Sequence, residues 1–271
     1  MNLASIWSEW SFEPGLVAPL AASASMYAWG RHKAPRSATA AQVAYYWTGW
    51  TFLALALISP IHELGESLFS AHMAQHEILM LLAAPFLVIS RPVAVFLHSM
   101  PLAWRKATVS WSRSGIVEPA WKAITKPFNA WLIHAAALWV WHYPPLFDAT
   151  LSNDWIHAAQ HLSFLISALL FWWALFYGRS HRAYGAGVLY IFTTGIHTGI
   201  LGALLTLTPH VWYSAYIGKT ASWGLTPLED QQIGGLIMWV PASLVYLAAG
   251  LTLIGAWIRT SSSPAEKVYA N

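Results

Sequence analysis

The chain has 271 residues, of which 57% are hydrophobic and only 9% are charged, with a formal net charge of +3. A soluble domain carries about 25% charged residues, so this composition excludes an ordinary soluble fold and predicts an all-α protein that crosses a membrane several times. The absence of cysteine excludes disulfides and thiolate metal sites. The small excess of positive charge is attributed to basic residues that orient the chain in the membrane. No nucleic-acid partner is therefore expected.

Apolar runs recur along the chain at the length of a membrane-spanning helix, which is about 20 residues. They predict one membrane domain, residues 1–271, built as a bundle of seven transmembrane helices. The predicted helices cover about residues 15–30, 43–60, 69–90, 127–143, 155–177, 184–207 and 233–258. The longest connection, 91–126, alternates basic residues with Trp and Leu, which suits either a segment lying on the membrane surface or a solvated loop.

Lysine and arginine are distributed unevenly between the two sets of connections. Segments 31–42, 91–126 and 178–183, together with the tail after the last helix, hold 13 of the 14 basic residues, and the opposite set holds only Lys219. Because basic loops stay in the cytoplasm, this pattern predicts an N-terminus outside the cell and a C-terminus in the cytoplasm.

This topology gives the histidines a depth in the membrane. His72 and His76 fall in the first two turns of the third helix, and His157 and His161 fall in the first two turns of the fifth. His142 ends the fourth helix, so five histidines from three helices share one outer layer. Residues four apart lie on one helix face, and neutral imidazole is a good ligand for copper, zinc or iron. The pattern predicts a metal site, although a single interfacial histidine is usually only a hydrogen-bonded polar residue.

Polar residues beside the paired histidines could orient the imidazoles or move protons. Gln75 and Gln160 lie between the members of each pair, so their side chains point partly sideways. Glu77 follows His76 and faces about 100° away from it. Glu77 could therefore be a proton-transfer carboxylate, or it could pair with another helix.

Further polar residues are predicted at the outer ends of helices. Asp230 and Gln231 lie at the start of the seventh helix, where an acid could orient a ligand imidazole or simply favour the helix dipole. Asp154 is a candidate N-cap of the fifth helix. His62 and His210 are assigned to outer loops, where they could help to capture a metal.

Four stretches of the chain resemble the seven-helix CtaG family of cytochrome c oxidase assembly factors. They are SAHMAQHEILMLLAAPFLVISRP, WVWHYPPLFDATL, WIHAAQHLSFLISALLFWW and TPLEDQQIGGLIMWVP, in family order across about residues 70–240. The resemblance implies a multi-pass protein of the bacterial inner membrane that helps to mature a haem–copper oxidase of the respiratory chain, at its copper centre. The family more often has an acid where this chain has Gln160, so a carboxylate role does not carry over to that position.

Three functional hypotheses follow from the cluster and the resemblance. In the first, the chain is not an enzyme but holds copper and passes it to an oxidase subunit, and a copper donor protein could be a second partner. In the second, zinc bound by histidines activates water for hydrolysis, with Glu77 or Asp230 as the carboxylate. In the third, histidines of the third and fifth helices bind a b-type haem.

Overall fold

The computed structural model describes residues 10–178 and 184–262, and all regular elements in these ranges are helical. In chain order they are α1 (Pro14–Lys33), α2 (Ala40–Ile58), α3 (Pro60–Ser67), α4 (Phe69–Ser90), α5 (Val93–Ser99), α6 (Leu102–Ser112), α7 (Val117–Ile124), α8 (Pro127–Trp141), α9 (Pro144–Thr150), α10 (Asp154–Tyr177), α11 (Tyr184–Leu207) and α12 (Pro227–Ser262), with 3-10 turns at Ser214–Tyr216 and Thr220–Trp223 before α12. The predicted all-α class is confirmed for the described residues.

A helix lies at each of the seven positions where the sequence predicts a span. Four of them, α4, α10, α11 and α12, are long and apolar enough to cross a membrane. The other three are shorter or more polar: α1 has 20 residues, α2 has 19 and α8 has 15. Length and composition therefore identify four candidate membrane spans among the described residues.

Local sequence explains why α12 begins, and α8 ends, at a residue other than the predicted one. α12 begins at Pro227, before position 233, since Thr226 and Glu229 form a reciprocal cap. The Glu229 backbone N–H donates to Thr226 Oγ1 at 3.2 Å, and the Thr226 backbone N–H donates to Glu229 Oε2 at 2.8 Å. α8 ends at Trp141, before position 143, because Pro144 disfavours a helical conformation in the residue that precedes it.

The connection 91–126 folds into the three short helices α5, α6 and α7. Large apolar side chains on it are exposed, including Trp104, Trp111 and Ile116 at 69%, 66% and 83%. These side chains alternate with the basic residues of the same segment.

α4 is central to the bundle, because it packs against α2, α3, α10 and α12. Its middle part, Ile78–Ala83, is π-helical, and the Ala84 N–H accordingly donates to the Leu79 carbonyl five residues earlier. Trp172 of α10 donates its indole N–H to the Met80 carbonyl in this segment at 2.8 Å. Single π-helical turns within α-helices occur frequently at functional sites. The histidine-bearing turns of α4 lie directly before this segment.

Candidate metal centre

α4 and α10 bring their four predicted histidines into contact. The ring centroids of His72 and His76 are 4.4 Å apart, and those of His157 and His161 are 4.3 Å apart. Between the helices, His76 lies 5.1 Å from His161, and His72 lies 5.1 Å from His157. All four side chains are buried. Two i, i+4 pairs from neighbouring helices therefore form one cluster.

One set of three histidines in this cluster has the spacing of a metal site. A ring nitrogen from each of His72, His76 and His161 lies within 4.8 Å of the other two. Nitrogens about 2.0–2.1 Å from a single ion can be at most about 4.2 Å apart. Small side-chain rotations are therefore enough to close the three imidazoles around one ion.

Five ring nitrogens in and beside the cluster are buried without a hydrogen-bond partner, although buried polar atoms normally have one. The buried nitrogens without a partner are His76 Nδ1, His76 Nε2, His142 Nε2, His157 Nε2 and His161 Nε2. By contrast, the buried His134 has Nδ1 at 3.1 Å from Ser167 Oγ. Metal coordination would use such unpartnered lone pairs, and neutral imidazoles suit copper or zinc. The residues present therefore fit a metal ion.

Gln160 orients one of the clustered imidazoles. Its Oε1 is 3.1 Å from His72 Nε2, and in this orientation of the amide it accepts the Nε2 proton and leaves the lone pair of His72 on Nδ1. Tyr216 lies 3.4 Å from this Nδ1 but donates its hydroxyl proton to the Gly65 carbonyl at 2.8 Å. Burial, with Asp230 nearby, raises the pKa of Tyr216 well above its ordinary value, so the hydroxyl stays neutral.

His62 also joins the cluster, which the sequence did not predict. It lies in α3, not in a loop, and its buried ring stacks on His157 with the centroids 5.4 Å apart. The helix begins because Ser59 caps it and Pro60 takes its first position. The Ser59–Pro60 pair, a common helix start, is the signal in the sequence that could have identified this helix.

Gln75 determines which ring nitrogen of a neutral His62 carries the proton. Its amide nitrogen donates to the Ala56 carbonyl at 2.8 Å and contacts His62 Nδ1 at 3.0 Å. A carbonyl can only accept, so the amide orientation is fixed and His62 Nδ1 must also accept. The proton of a neutral His62 is then on Nε2. Although His62, His157 and His161 form a second group within 4.8 Å, His62 has no free lone pair there, so the His72, His76 and His161 group is the better metal site.

His142 lies in the same layer but outside both three-histidine groups. It follows the last residue of α8, and its Nδ1 donates to the Leu138 carbonyl at 2.7 Å. This hydrogen bond leaves the lone pair on Nε2. Phe147 and Phe164, which are 6.3 Å and 6.1 Å from its ring, pack in turn against the histidines of α4. His142 is therefore adjacent to the cluster across two phenylalanine rings.

Asp230 contacts the backbone of α4 and not an imidazole. Its carboxylate accepts from the N–H of Phe69 at 2.6 Å, from the N–H of Ser70 at 3.1 Å and from the Ser70 hydroxyl at 2.5 Å. These N–H groups belong to the first turn of α4, where helical partners are missing. Asp230 therefore caps α4 from a different helix, and it is fully buried.

The other two predicted polar residues also lie away from the imidazoles. Glu77 is buried and makes no hydrogen bond to the histidines, and Tyr246 of α12 is its electrostatic neighbour. Gln231 accepts from the Trp212 N–H at 2.6 Å and donates to the His210 carbonyl at 3.1 Å. Gln231 thus anchors the loop before α12.

The sequence is similar to known proteins over most of its length. The chain is similar to an uncharacterised protein of Mycobacterium bovis, with 24% identity over 230 residues that cover 81% of this chain and 34% of that protein. It is also similar to an uncharacterised protein of Mycobacterium leprae, with 24% identity over 219 residues, 78% of this chain and 33% of that protein. The chain therefore spans about a third of the length of these relatives.

No solved structure matches the chain significantly. The sequence profile of one family, described as cytochrome c oxidase caa3 assembly factor, matches residues 25–260. The match covers α2 to α11 completely, together with the histidine cluster, most of α12 and the second half of α1 from residue 25. The chain therefore belongs to the family of cytochrome c oxidase caa3 assembly factors.

Proposed function

We propose that this chain binds a copper ion through its clustered histidines and helps to mature the copper centre of a haem–copper oxidase. The observation that carries the proposal is the set of buried, unpartnered imidazole nitrogens on α4 and α10. Family membership supplies the link to oxidase assembly. Copper is then the cargo, and the oxidase subunit is the partner that receives it.

The proposal includes a topology of seven spans with the N-terminus outside, in the bacterial inner membrane. Helices at all seven predicted positions and the 13 basic residues in alternate segments support it. The histidine cluster then faces the outer side. Reporter fusions at about residues 35 and 110 are expected to report a cytoplasmic location. A periplasmic signal from either fusion would contradict the topology.

His72, His76 and His161 are the proposed ligands, with His157 and His142 beside them. Three to four neutral imidazoles match the ligand preference of copper, and a carrier needs no substrate position next to the metal. Gln160 would hold His72 in the required tautomer by accepting the proton of its other nitrogen. Such outer partners usually orient a ligating imidazole.

The hydrolase alternative has less support from the geometry. A zinc hydrolase needs a carboxylate beside the metal-bound water. Glu77 makes no hydrogen bond to the histidines, and Asp230 is committed to the backbone of α4. Neither carboxylate named as a candidate is therefore in position.

The haem alternative requires a wide slot between α4 and α10 for the macrocycle. The histidine rings of the two helices contact one another, at 5.1 Å between His76 and His161. Gln160 bridges the same gap by bonding to His72. This packing favours a single ion over a porphyrin.

Metal analysis of the purified chain tests the binding proposal. The wild type should retain copper after dialysis, whereas His76→Ala and His161→Ala should each lose most of it, because each removes a ligand from a different helix. His134→Gln is the matched control, since His134 is equally buried but is hydrogen-bonded to Ser167. Zinc with hydrolytic turnover, or a haem spectrum, would replace the copper proposal with one of its alternatives.

A strain without this chain tests the assembly role. Oxidase subunits and haem insertion should persist, while oxidase activity and copper content per oxidase should fall. High external copper should restore part of the activity, because mass action replaces assisted transfer. The His76→Ala and His161→Ala strains should behave like the deletion, and His98→Ala should not. Fully copper-loaded, active oxidase in the two cluster variants would contradict copper delivery.

A further inference from the structure

A cavity of about 450 Å³ lies beside the histidine cluster, between α1, α2, α3 and α10. Carboxylates, histidines and leucines all contribute to its lining. The polar lining consists mainly of Glu13, Glu66, Asp154, His62, His157 and His161. The cavity therefore joins the protein surface to one side of the candidate metal centre.

The three carboxylates of this cavity are exposed and have no ion-pair partner among residues 10–178 and 184–262. Asp154 is free because Asn153, not Asp154, caps α10 by accepting from the N–H groups of Trp155 and Ile156. Lys219 donates to the backbone carbonyl of Glu66 at 3.1 Å and lies over the ring of Tyr216, and it forms no salt bridge with the Glu66 carboxylate. The three carboxylates at the cavity opening therefore outnumber the one lysine beside them, and the opening carries a net negative charge.

Burial raises the pKa of Glu66 and the nearby carboxylates of Glu63 and Asp154 raise it further, while His62 and Lys219 oppose the rise. Glu66 and Asp154 are therefore close enough to repel each other. Two like charges held near each other at an opening attract a cation that can neutralise both.

One face of α10 leads from this opening to the metal centre. Asp154, His157 and His161 are spaced by three and four residues, so they lie one above the other on that face. His157 and His161 are only 9% and 6% exposed, line the cavity, and each has an Nε2 without a partner. His161 is also a member of the His72, His76 and His161 group. Ligand groups therefore continue from the surface to the buried site.

We propose that this cavity is the uptake route for the metal, in which Glu13, Glu66 and Asp154 capture a hydrated metal cation from the outer side. The cation then passes along the α10 face from Asp154 to His157 and His161. Leucines such as Leu79 and Leu165 line the cavity beyond the histidines and offer no ligand atom. Movement therefore stops at the imidazoles. The inference rests on the proposed metal site, because the route delivers the cation to that site.

Uptake kinetics of Cu²⁺ alone, followed by quenching of tryptophan fluorescence in the full-length chain in lipid nanodiscs, test this route. Negative clefts raise association rates of cations about 10- to 1,000-fold. The variant with Glu13→Gln, Glu66→Gln and Asp154→Asn should therefore bind copper about 10- to 100-fold more slowly. Its final copper content should equal that of the wild type. Its rate should also lose the wild type's salt dependence between about 0.01 and 0.5 M ionic strength.

Glu118→Gln is the matched control, because Glu118 is an exposed carboxylate on α7 that does not line the cavity and pairs with Lys122. It should bind at the wild-type rate. Ala158→Trp, which adds a large neutral side chain to the cavity lining, should slow uptake without changing the charge.

The outcomes separate the route from the site. A wild type that takes up no copper would overturn the metal site and the route with it. Wild-type uptake that is matched by the triple variant, in rate and salt dependence, would overturn the route and leave the site in place. Slow uptake by both the triple variant and Ala158→Trp, with Glu118→Gln unchanged, would support the route.

Discussion

Two polar regions lie within two turns of each other at the N-terminal end of α4, and their hydrogen bonding differs completely. In the first, the buried carboxylate of Asp230 accepts three hydrogen bonds from Phe69 and Ser70. In the second, the equally buried His76 has no partner for either ring nitrogen. Because an unsatisfied buried group lowers stability, the first region is suited to hold the fold and the second to hold a ligand.

Asp230→Leu should give the largest change and thereby test the structural half of this comparison. The substitution leaves two backbone N–H groups and one hydroxyl buried without an acceptor, each costing about 1–3 kcal/mol. We expect a loss of about 3–5 kcal/mol in unfolding free energy. A lower midpoint of thermal unfolding in detergent would show it. An unchanged midpoint would mean that the cap of α4 is dispensable.

Gln160→Leu should give the next largest effect, on metal affinity. It removes the acceptor that orients His72, and losses of this kind are typically about 10- to 100-fold in affinity. Copper titration against a competing chelator measures the change. Gln231→Leu is the matched control, because Gln231 bonds only to the loop before α12. Equal affinities for the wild type and Gln160→Leu would show that Gln160 does not orient the ligand.

His76→Leu should have a smaller effect on stability, with the opposite sign to Asp230→Leu. Replacing a buried, unpartnered imidazole with an apolar side chain should leave the metal-free protein as stable as the wild type or about 1 kcal/mol more stable. The same variant should lose copper binding. A strong loss of stability without metal would indicate that His76 serves the fold, and the contrast with Asp230 would disappear.

His98→Ala should give the smallest effect. His98 lies on α5, and its Nδ1 contacts only the Ala94 carbonyl of the same helix, at 2.6 Å. Surface substitutions of this kind usually change stability by less than about 0.5 kcal/mol. Thermal unfolding and copper titration should both match the wild type. A measurable loss in either would reveal a role for the face opposite the cluster.

Local spacing predicted the part of the site that depends on helix geometry. The two H-x-x-x-H pairs lie on one face of their helices, and their equal depth was sufficient to predict that α4 and α10 would bring them together. The positions of the helices followed in the same way from the lengths of the apolar runs in the sequence. These features depend on residues that are neighbours along the chain.

The remaining features depend on contacts between distant parts of the chain. Asp230 and Phe69 are 161 residues apart, and no local pattern indicates that one caps the helix of the other. His62 reaches the cluster only because α3 packs against α4. Glu77 has Tyr246 on α12 as its electrostatic neighbour, and this pairing with a distant helix could not be predicted from the sequence.

The π-helical segment of α4 has a consequence for insertions and deletions in the gene. A π turn corresponds to one residue inserted into an α-helix, so Ile78–Ala83 offsets the two halves of α4 by about 100°. Deleting one codon there would remove no histidine from the sequence. If the half of α4 that follows the segment kept its packing, His72 and His76 would nevertheless turn away from α10. The alignment of the two helices is therefore encoded in chain length as well as in residue identity.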